Sequence, residues 1–284
     1  MHSVAVQFAA GKPFLLGLLL VVVACLLRYR QGRRGTRAPL TVGAITGGLL
    51  VMLSATPLPA WVYAVWSLAL VAVVVCAERP AAARGSVHRT ALAVLALASA
   101  AMAAVELPRY RRQPLPFARG VPVFVIGDSL AMALEDGVVP WPRQWAERSG
   151  LQVTSLAAGG KRTEGAISDL ERVPPGAASI LIEIGGNDLL GGTPTPEFEQ
   201  TLGRLLDQAC QPGRAVAMFE LPLTPFRNGY GQAQRHLAAR HGVVLIPKRC
   251  LADILADPKA TVDGIHLSGR GHVQMAALLA DLMP

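Results

Sequence analysis

A helical membrane region followed by an α/β domain on a parallel sheet is the fold class this sequence predicts, on three observations. Up to residue 106 it carries four apolar stretches free of Lys, Arg, Asp and Glu. From residue 121 the apolar residues fall instead into short β-branched runs separated by amphipathic stretches of helical length. The charge is also divided. Residues 1–119 hold 13 of the 27 Lys and Arg but only two of the 19 acids, Glu78 and Glu106, whereas residues 120–284 are slightly acidic. The 284 residues therefore divide into a membrane region (1–106), a linker (107–120) rich in Pro and Arg, and a domain (121–284).

The apolar stretches are Pro13–Leu27, Leu40–Leu58, Ala60–Cys76 and Ala91–Val105. A bilayer takes about 20 apolar residues, within a range of about 17–25, and only helices satisfy the backbone there. The second and third stretches fit directly. The first and fourth reach that length if Arg28, Arg30 and Arg89 snorkel. A signal peptide fits the first stretch poorly, because its cations follow the apolar run instead of preceding it. Arg28, Arg30, Arg33, Arg34 and Arg37 assign the first link to the cytoplasm, and Arg79, Arg84 and Arg89 assign the third. By alternation both the N-terminus and residues 107–284 face outward, against the weaker pull of Arg109, Arg111, Arg112 and Arg119. In a bacterial cell this is a multi-pass inner-membrane protein with a periplasmic domain. Gly43, Gly47 and Gly48 permit close helix packing. No polar network of the transporter kind crosses these stretches.

In the second half the expected strands are Val121–Ile126, Gln152–Ser155, Ser179–Ile184, Ala215–Leu221 and Val243–Ile246. The expected helices are Ala131–Asp136, Trp141–Arg148, Thr163–Leu170, Pro196–Gln211, Tyr230–His241 and Gly271–Leu282. Strands alternating with helices indicate a parallel sheet covered on both faces, and such sheets bind ligands beyond their carboxyl ends.

Four motifs fall at those ends. Gly127-Asp128-Ser129-Leu130 puts a hydroxyl at the rim of the sheet, at the start of a helical run that favours negative charge. Read alone, Asp128 or Ser129 is a helix cap. Gly159-Gly160 lets the backbone turn an N–H toward a ligand, or is an ordinary turn. Gly185-Gly186-Asn187-Asp188 presents an amide donor at Asn187, or a plain Asn-Asp turn. Asp263 and His266 stand three residues apart, a spacing at which one turn brings a carboxylate to an imidazole and fixes its tautomer. His236, His241 and His272 lack such a neighbour, and His2 and His88 belong to the membrane half. A metal-dependent reading through Asp128, Asp188 and His266 lacks the H-x-H or H-E-x-x-H spacing, so no metal or cofactor is expected.

Taken together, Ser129, Gly160, Asn187 and His266 occur in the order of the four blocks of the SGNH (GDSL) hydrolase family, which residues 121–283 resemble. The resemblance implies a flavodoxin-like three-layer sandwich. It implies Ser129 as nucleophile, His266 as general base and Asp263 as its orienting acid. It also implies an oxyanion hole of the Ser129 and Gly160 backbone N–H groups with the Asn187 side chain. Many members carry Asn a few residues before the second-block glycine, where this chain has Ser155, which leaves Gly159 or Gly160 as the donor.

These features point to a membrane-anchored serine esterase that removes O-acyl groups, such as acetyl, from a cell-envelope glycan or lipid. An O-acyltransferase that places such groups, docked to a membrane-protein partner, is the alternative; a non-catalytic binding module is a third. Four helices are few for an acyl-donor transporter, which favours the esterase. Basic and aromatic residues do not interleave in the second half, so nucleic acid is not an expected partner. Cys210 and Cys250 are expected to form a disulfide if the domain is extracytoplasmic. Cys25 and Cys76 read as packing residues of the apolar spans. Oligomeric state is not written in these features.

Overall fold

The computed structural model of the chain describes residues 2–31, 37–78 and 85–284; Arg33, Arg34, Arg79 and Arg84 lie outside them. The chain forms two compact units. One comprises Gly11–Tyr110 with the short segment Thr224–Asn228. The other comprises the residues up to Ala10, Arg111–Leu223 and Gly229–Pro284. The first helix, α1 (His2–Ala9), thus belongs with the C-terminal domain. Val6 and Ala10 bury against Ala252, and the Leu223 N–H donates to the Ala9 carbonyl at 3.3 Å.

The helical unit contains α2 (Pro13–Gln31), α3 (Arg37–Leu53), α4 (Ala60–Glu78) and α5 (Gly85–Glu106). Among the described residues three helices, α2, α4 and α5, are long and apolar enough to cross a membrane. The expected second span is shorter than its apolar run: α3 stops at Leu53, and residues 54–58 fold into tight turns ahead of Pro57 and Pro59. Arg28 of α2 pairs with Glu78 of α4, and Tyr29 meets His88 of α5 edge-on at 5.2 Å. At the other end the Tyr110 hydroxyl donates to the Gly11 carbonyl at 2.9 Å. The four helices therefore run alternately up and down. Phe14, Val21, Trp66 and Leu95 fill the centre, where the Trp66 indole N–H is satisfied by Ser99 Oγ at 2.9 Å. Of the glycines expected to allow close packing, Gly47 is the one that requires it: a Cβ there would lie 2.7 Å from the Gly17 carbonyl oxygen. Gly43 and Gly48 leave ordinary room, with nearest atoms at 3.5 and 3.6 Å.

The α/β unit is organised by five parallel strands: β1 (Val123–Gly127), β2 (Val153–Ser155), β3 (Ala178–Glu183), β4 (Arg214–Phe219) and β5 (Val244–Ile246). Their order is β2-β1-β3-β4-β5, the flavodoxin-like arrangement. β1 and β3 are buried along their whole length because helices cover both faces. Those helices are α6 (Trp141–Ser149), α7 (Thr163–Ile167), α8 (Gly186–Leu190), α9 (Thr195–Ala209), α10 (Asn228–His241), α11 (Lys248–Leu255) and α12 (Gly269–Asp281). One core joins Val123, Val125, Trp141, Trp145, Leu181, Phe219 and Met275.

Four expectations are corrected here. The helix placed at Ala131–Asp136 is one 3₁₀ turn, Ser129–Ala131, after which Met132 is extended. Six residues before Gly137 and Pro140 are too few to sustain a helix nucleus. The stretch read as linker is partly structural: Leu115 and Phe117 enter the core, and the Leu115 N–H donates to the Leu282 carbonyl at 2.7 Å. The short helices α8 and α11 were not anticipated. Finally, Cys210 and Cys250 are not bonded; all four cysteines are free. Cys210 caps the end of α9, while Cys250, on α11, is buried in the core. Burial pushes both thiols up, away from the reactive thiolate.

At the entry to α12 a glycine is required by close approach of the backbone. A Cβ on Gly271 would lie 2.1 Å from the Ala260 carbonyl oxygen, which accepts the Ser268 N–H at 2.9 Å. Gly271→Ala forces this turn off α12 and is expected to lower stability by about 3 kcal/mol, the upper range for overpacking. A thermal melt of the detergent-solubilised chain measures it; an unchanged midpoint would refute the clash.

Candidate active site

In a parallel sheet of this order, the first strand's two neighbours receive their connections on opposite faces, which opens a crevice beyond the carboxyl ends of β1 and β3. Ser129 lies two residues past β1, and Asn187 lies in the first turn of α8 past β3. Gly185, at φ 107, makes the β3–α8 turn in a conformation that side chains rarely adopt.

His266 arrives from the opposite side, on the loop between α11 and α12. That loop is pinned at both ends. Asp257 binds Arg270 at 2.8 Å and Gln274 at 2.9 Å, both on α12. The Lys259 N–H, the Gln274 amide and Arg270 hold the Asp257 carboxyl down at about 2. Thr261 and Leu267 then bridge antiparallel, so residues 262–266 project as a small loop.

Within this loop Asp263 acts three times. Its Oδ1 accepts the N–H of Ile265 at 2.9 Å and of His266 at 2.8 Å, and its Oδ2 accepts from His266 Nδ1 at 2.6 Å. The ring bond, followed by the two backbone N–H groups, holds the Asp263 carboxyl well below the usual carboxylate range. It is therefore ionised and fixes the proton of His266 on Nδ1. The free Nε2 faces Ser129 Oγ at 3.1 Å. Thus Ser129, His266 and Asp263, 137 residues apart at the widest in sequence for the Ser–His bond, form one hydrogen-bonded line.

Asn187 joins the segments on either side of it. Asn187 Nδ2 donates one hydrogen to Asp128 Oδ2 at 3.0 Å and the other to the Lys161 carbonyl at 3.1 Å. The Gly159-Gly160 turn therefore sits against Asn187. Gly160 takes φ 70, while Gly159 has an ordinary φ. The turn is held from below: Lys161 Nζ binds the Leu156 carbonyl and Asp169. Thr163 fixes the next residues by donating its N–H at 2.8 Å and its hydroxyl at 3.0 Å to Asp188 Oδ2. At rest both amide hydrogens of Asn187 are engaged, one by Asp128 and the other by the Lys161 carbonyl.

Two carboxyls beneath this site carry no assigned role from the motifs. Asp128 caps the Ser129 turn, its Oδ1 accepting the Leu130 N–H at 2.9 Å, while its Oδ2 holds Asn187. Burial raises it, and the Leu130 N–H, His266 and Asn187 oppose that rise. Glu183, the last residue of β3, is wholly buried and is pushed well up by burial and then by Asp128. A lone glutamate ending an otherwise apolar strand is the one sequence signal that could have singled it out. His272, on α12, accepts the Trp141 N–H at 3.3 Å and is held neutral by burial. Among the described residues no cluster suited to a metal ion occurs.

A buried parallel sheet and a serine poised on an imidazole that a carboxylate orients define the class of α/β serine hydrolases. Residues 125–274, more than half of the chain, match the model of the GDSL-like Lipase/Acylhydrolase family. The chain belongs to that family and is an ester hydrolase of the GDSL/SGNH type. Among solved structures it is similar to TesA, with a TM-score of 0.50 and 22% identity, covering 57% of this chain and 97% of that one. It is also similar to the psychrotrophic esterase EstA from Pseudoalteromonas sp. (TM-score 0.48, 19% identity, 56% of this chain and 94% of that one). A member of the lipolytic protein G-D-S-L family from Veillonella parvula follows (TM-score 0.47, 20% identity, 57% and 97%). The first of these likenesses reflects the fold alone. No curated protein matches the chain.

Proposed function

We propose that this protein is a membrane-anchored serine esterase that removes O-acyl groups from a cell-envelope glycan or lipid through an acyl-enzyme. The observation that carries the reading is the line Asp263 Oδ2–His266 Nδ1–His266 Nε2–Ser129 Oγ, at 2.6 and 3.1 Å. His266 Nε2 takes the Ser129 proton as Oγ attacks the ester carbonyl. The carbonyl oxygen becomes an anion, stabilised by the N–H groups of Ser129 and Gly160 and by Asn187. The C–O bond breaks, and His266 returns the proton to the leaving alcohol. Water then attacks the acyl-enzyme with His266 again as base, releasing the acid and restoring Ser129.

Chain parity supports the orientation. The helical unit is entered after Ala10 and left before Arg111, and both of those flanking segments belong to the catalytic unit. A chain that leaves and returns to one side crosses an even number of times. The 17-residue α3, about 26 Å long at 1.5 Å per residue, then serves as the fourth crossing. In the sequence the cations gather in the first and third links between the apolar stretches, a distribution that assigns both links to the cytoplasm.

The test is hydrolysis of short-chain aryl esters by the detergent-solubilised chain, with and without glycan acceptors. Turnover that requires no acceptor supports the esterase; turnover only with an acceptor supports acyl transfer. A well-folded protein inert in both assays would overturn the reading. A C-terminal reporter active only in the cytoplasm should stay silent, and a strong signal would reverse the orientation.

A further inference from the structure

The oxyanion donors come from three separate segments, and something must hold them in register. The sequence of contacts begins at Glu183. Its Oε2 accepts the Asp128 N–H at 3.5 Å and lies 3.3 Å from where a Cβ on Gly127 would be. Asp128 in turn spends both carboxylate oxygens on the hole. Oδ1 ties the turn that carries Ser129, and Oδ2 aims Asn187. Gly186 leaves room for this: a Cβ there would lie 3.5 Å from Asp128 Oδ2. The nucleophile turn and the amide donor are thus set by one carboxylate, whose own backbone rests on a buried acid.

We propose that Glu183 is a positioning residue for the reaction: acting through Asp128, it keeps the Ser129 turn and the Asn187 amide aligned on one oxyanion. The inference rests on the acyl-enzyme reading of the same site. A methyl-rich side chain would fill the end of β3 without desolvating a carboxyl, so packing alone does not explain a glutamate there. Both carboxyls are buried, and the charge of Asp128 disfavours a second one on Glu183. Glu183, the more deeply buried, keeps the proton and supplies an oxygen without adding a second charge. Asp128, whose anion the Leu130 N–H, His266 and the Asn187 amide favour, is the charged partner of the two.

The experiment reads the rate at which a fluorophosphonate labels Ser129 in the full-length solubilised chain. In that reaction the Ser129 Oγ–P bond forms, fluoride leaves with the P–F bonding pair, and the seryl proton passes to His266. No acyl acceptor is needed, so esterase and transferase are judged alike. Labelling of the wild type that Ser129→Ala abolishes establishes the serine reading; absence of labelling in a folded wild type removes that reading and this one with it.

Glu183→Gln keeps the accepting oxygen and the neutral charge, and its labelling rate should stay within about threefold of wild type, with an unmoved pH profile. Glu183→Leu removes the acceptor and should slow labelling about tenfold, the effect of one lost hydrogen bond. For aryl esters this loss should appear in kcat with KM unchanged. In an Asp128→Asn background, Glu183→Leu should add nothing, because both act along one path. Full activity of Glu183→Leu, or an equal further loss in the Asp128→Asn background, would overturn the proposal. If Glu183→Leu does not fold, Glu183→Gln decides. A tenfold loss or a displaced pH profile there would show that the charge of Glu183, and not its position, is used.

Discussion

Replacing Ser129 by alanine, His266 by alanine, or both together lowers kcat for ester hydrolysis by about the same factor, on the order of 10⁶. The reason is that neither group works alone. Ser129 Oγ becomes a nucleophile only as His266 Nε2, 3.1 Å away, removes its proton, and His266 has no other acceptor role in the first step. Whichever partner is removed, the same residual catalysis by the oxyanion donors remains. Steady-state kinetics on the two single variants and the double variant checks this. Multiplying losses, or a His266→Ala variant within tenfold of wild type, would place the base elsewhere.

Asp263→Asn is the next largest effect, with kcat falling about 10⁴-fold while the fold persists. An asparagine retains an oxygen for the N–H groups of Ile265 and His266, now 2.9 and 2.8 Å from Oδ1, so the loop survives. Toward the ring, however, it offers N–H where Oδ2 accepted. His266 then carries its proton on Nε2 and can no longer receive one from Ser129. The acid side of the pH profile gives an independent check. Asp263 is held below the usual carboxylate range, so it is ionised above its ordinary value and is lost only as pH falls below that range. Activity that declines near neutral pH in the wild type therefore reports another group. A far-UV spectrum matching wild type, combined with the kinetic loss, separates this account from unfolding.

The site was legible because its chemistry is local in the chain. Three of the motifs follow a strand end, and Asp263 with His266, on the loop before α12, needs only one turn to meet. The sheet was legible for a related reason: strands buried on both faces read as continuous apolar runs, as Val123–Ile126 does. Its edge strands were found too, though Val153–Ser155 and Val244–Ile246 are three residues long. The helices carried less signal. The run Ala131–Asp136 has helical composition but no length, and α8 was hidden inside a glycine-rich turn. α1 follows no pattern that distinguishes it from the apolar stretch beginning at Pro13; its place was set by Val6 and Ala10 meeting Ala252. The disulfide expectation failed because the spacing of Cys210 and Cys250 says nothing about direction, and the structure turns one thiol into a core packed around α11.

By itself, then, the sequence determined the division into a helical region and an α/β domain, the parallel sheet, and the residues that could carry acyl chemistry. These follow from periodicity, from charge and from residue types whose spacing is short. Only the tertiary structure decided that Ser129 and His266 meet, that the N-terminal segment belongs with the catalytic unit, and that Glu183 and Asp128 lie against the Ser129 turn and Asn187. Those are contacts between distant segments, fixed by strand order and by which side chains burial brings together, and a linear pattern has no term for either.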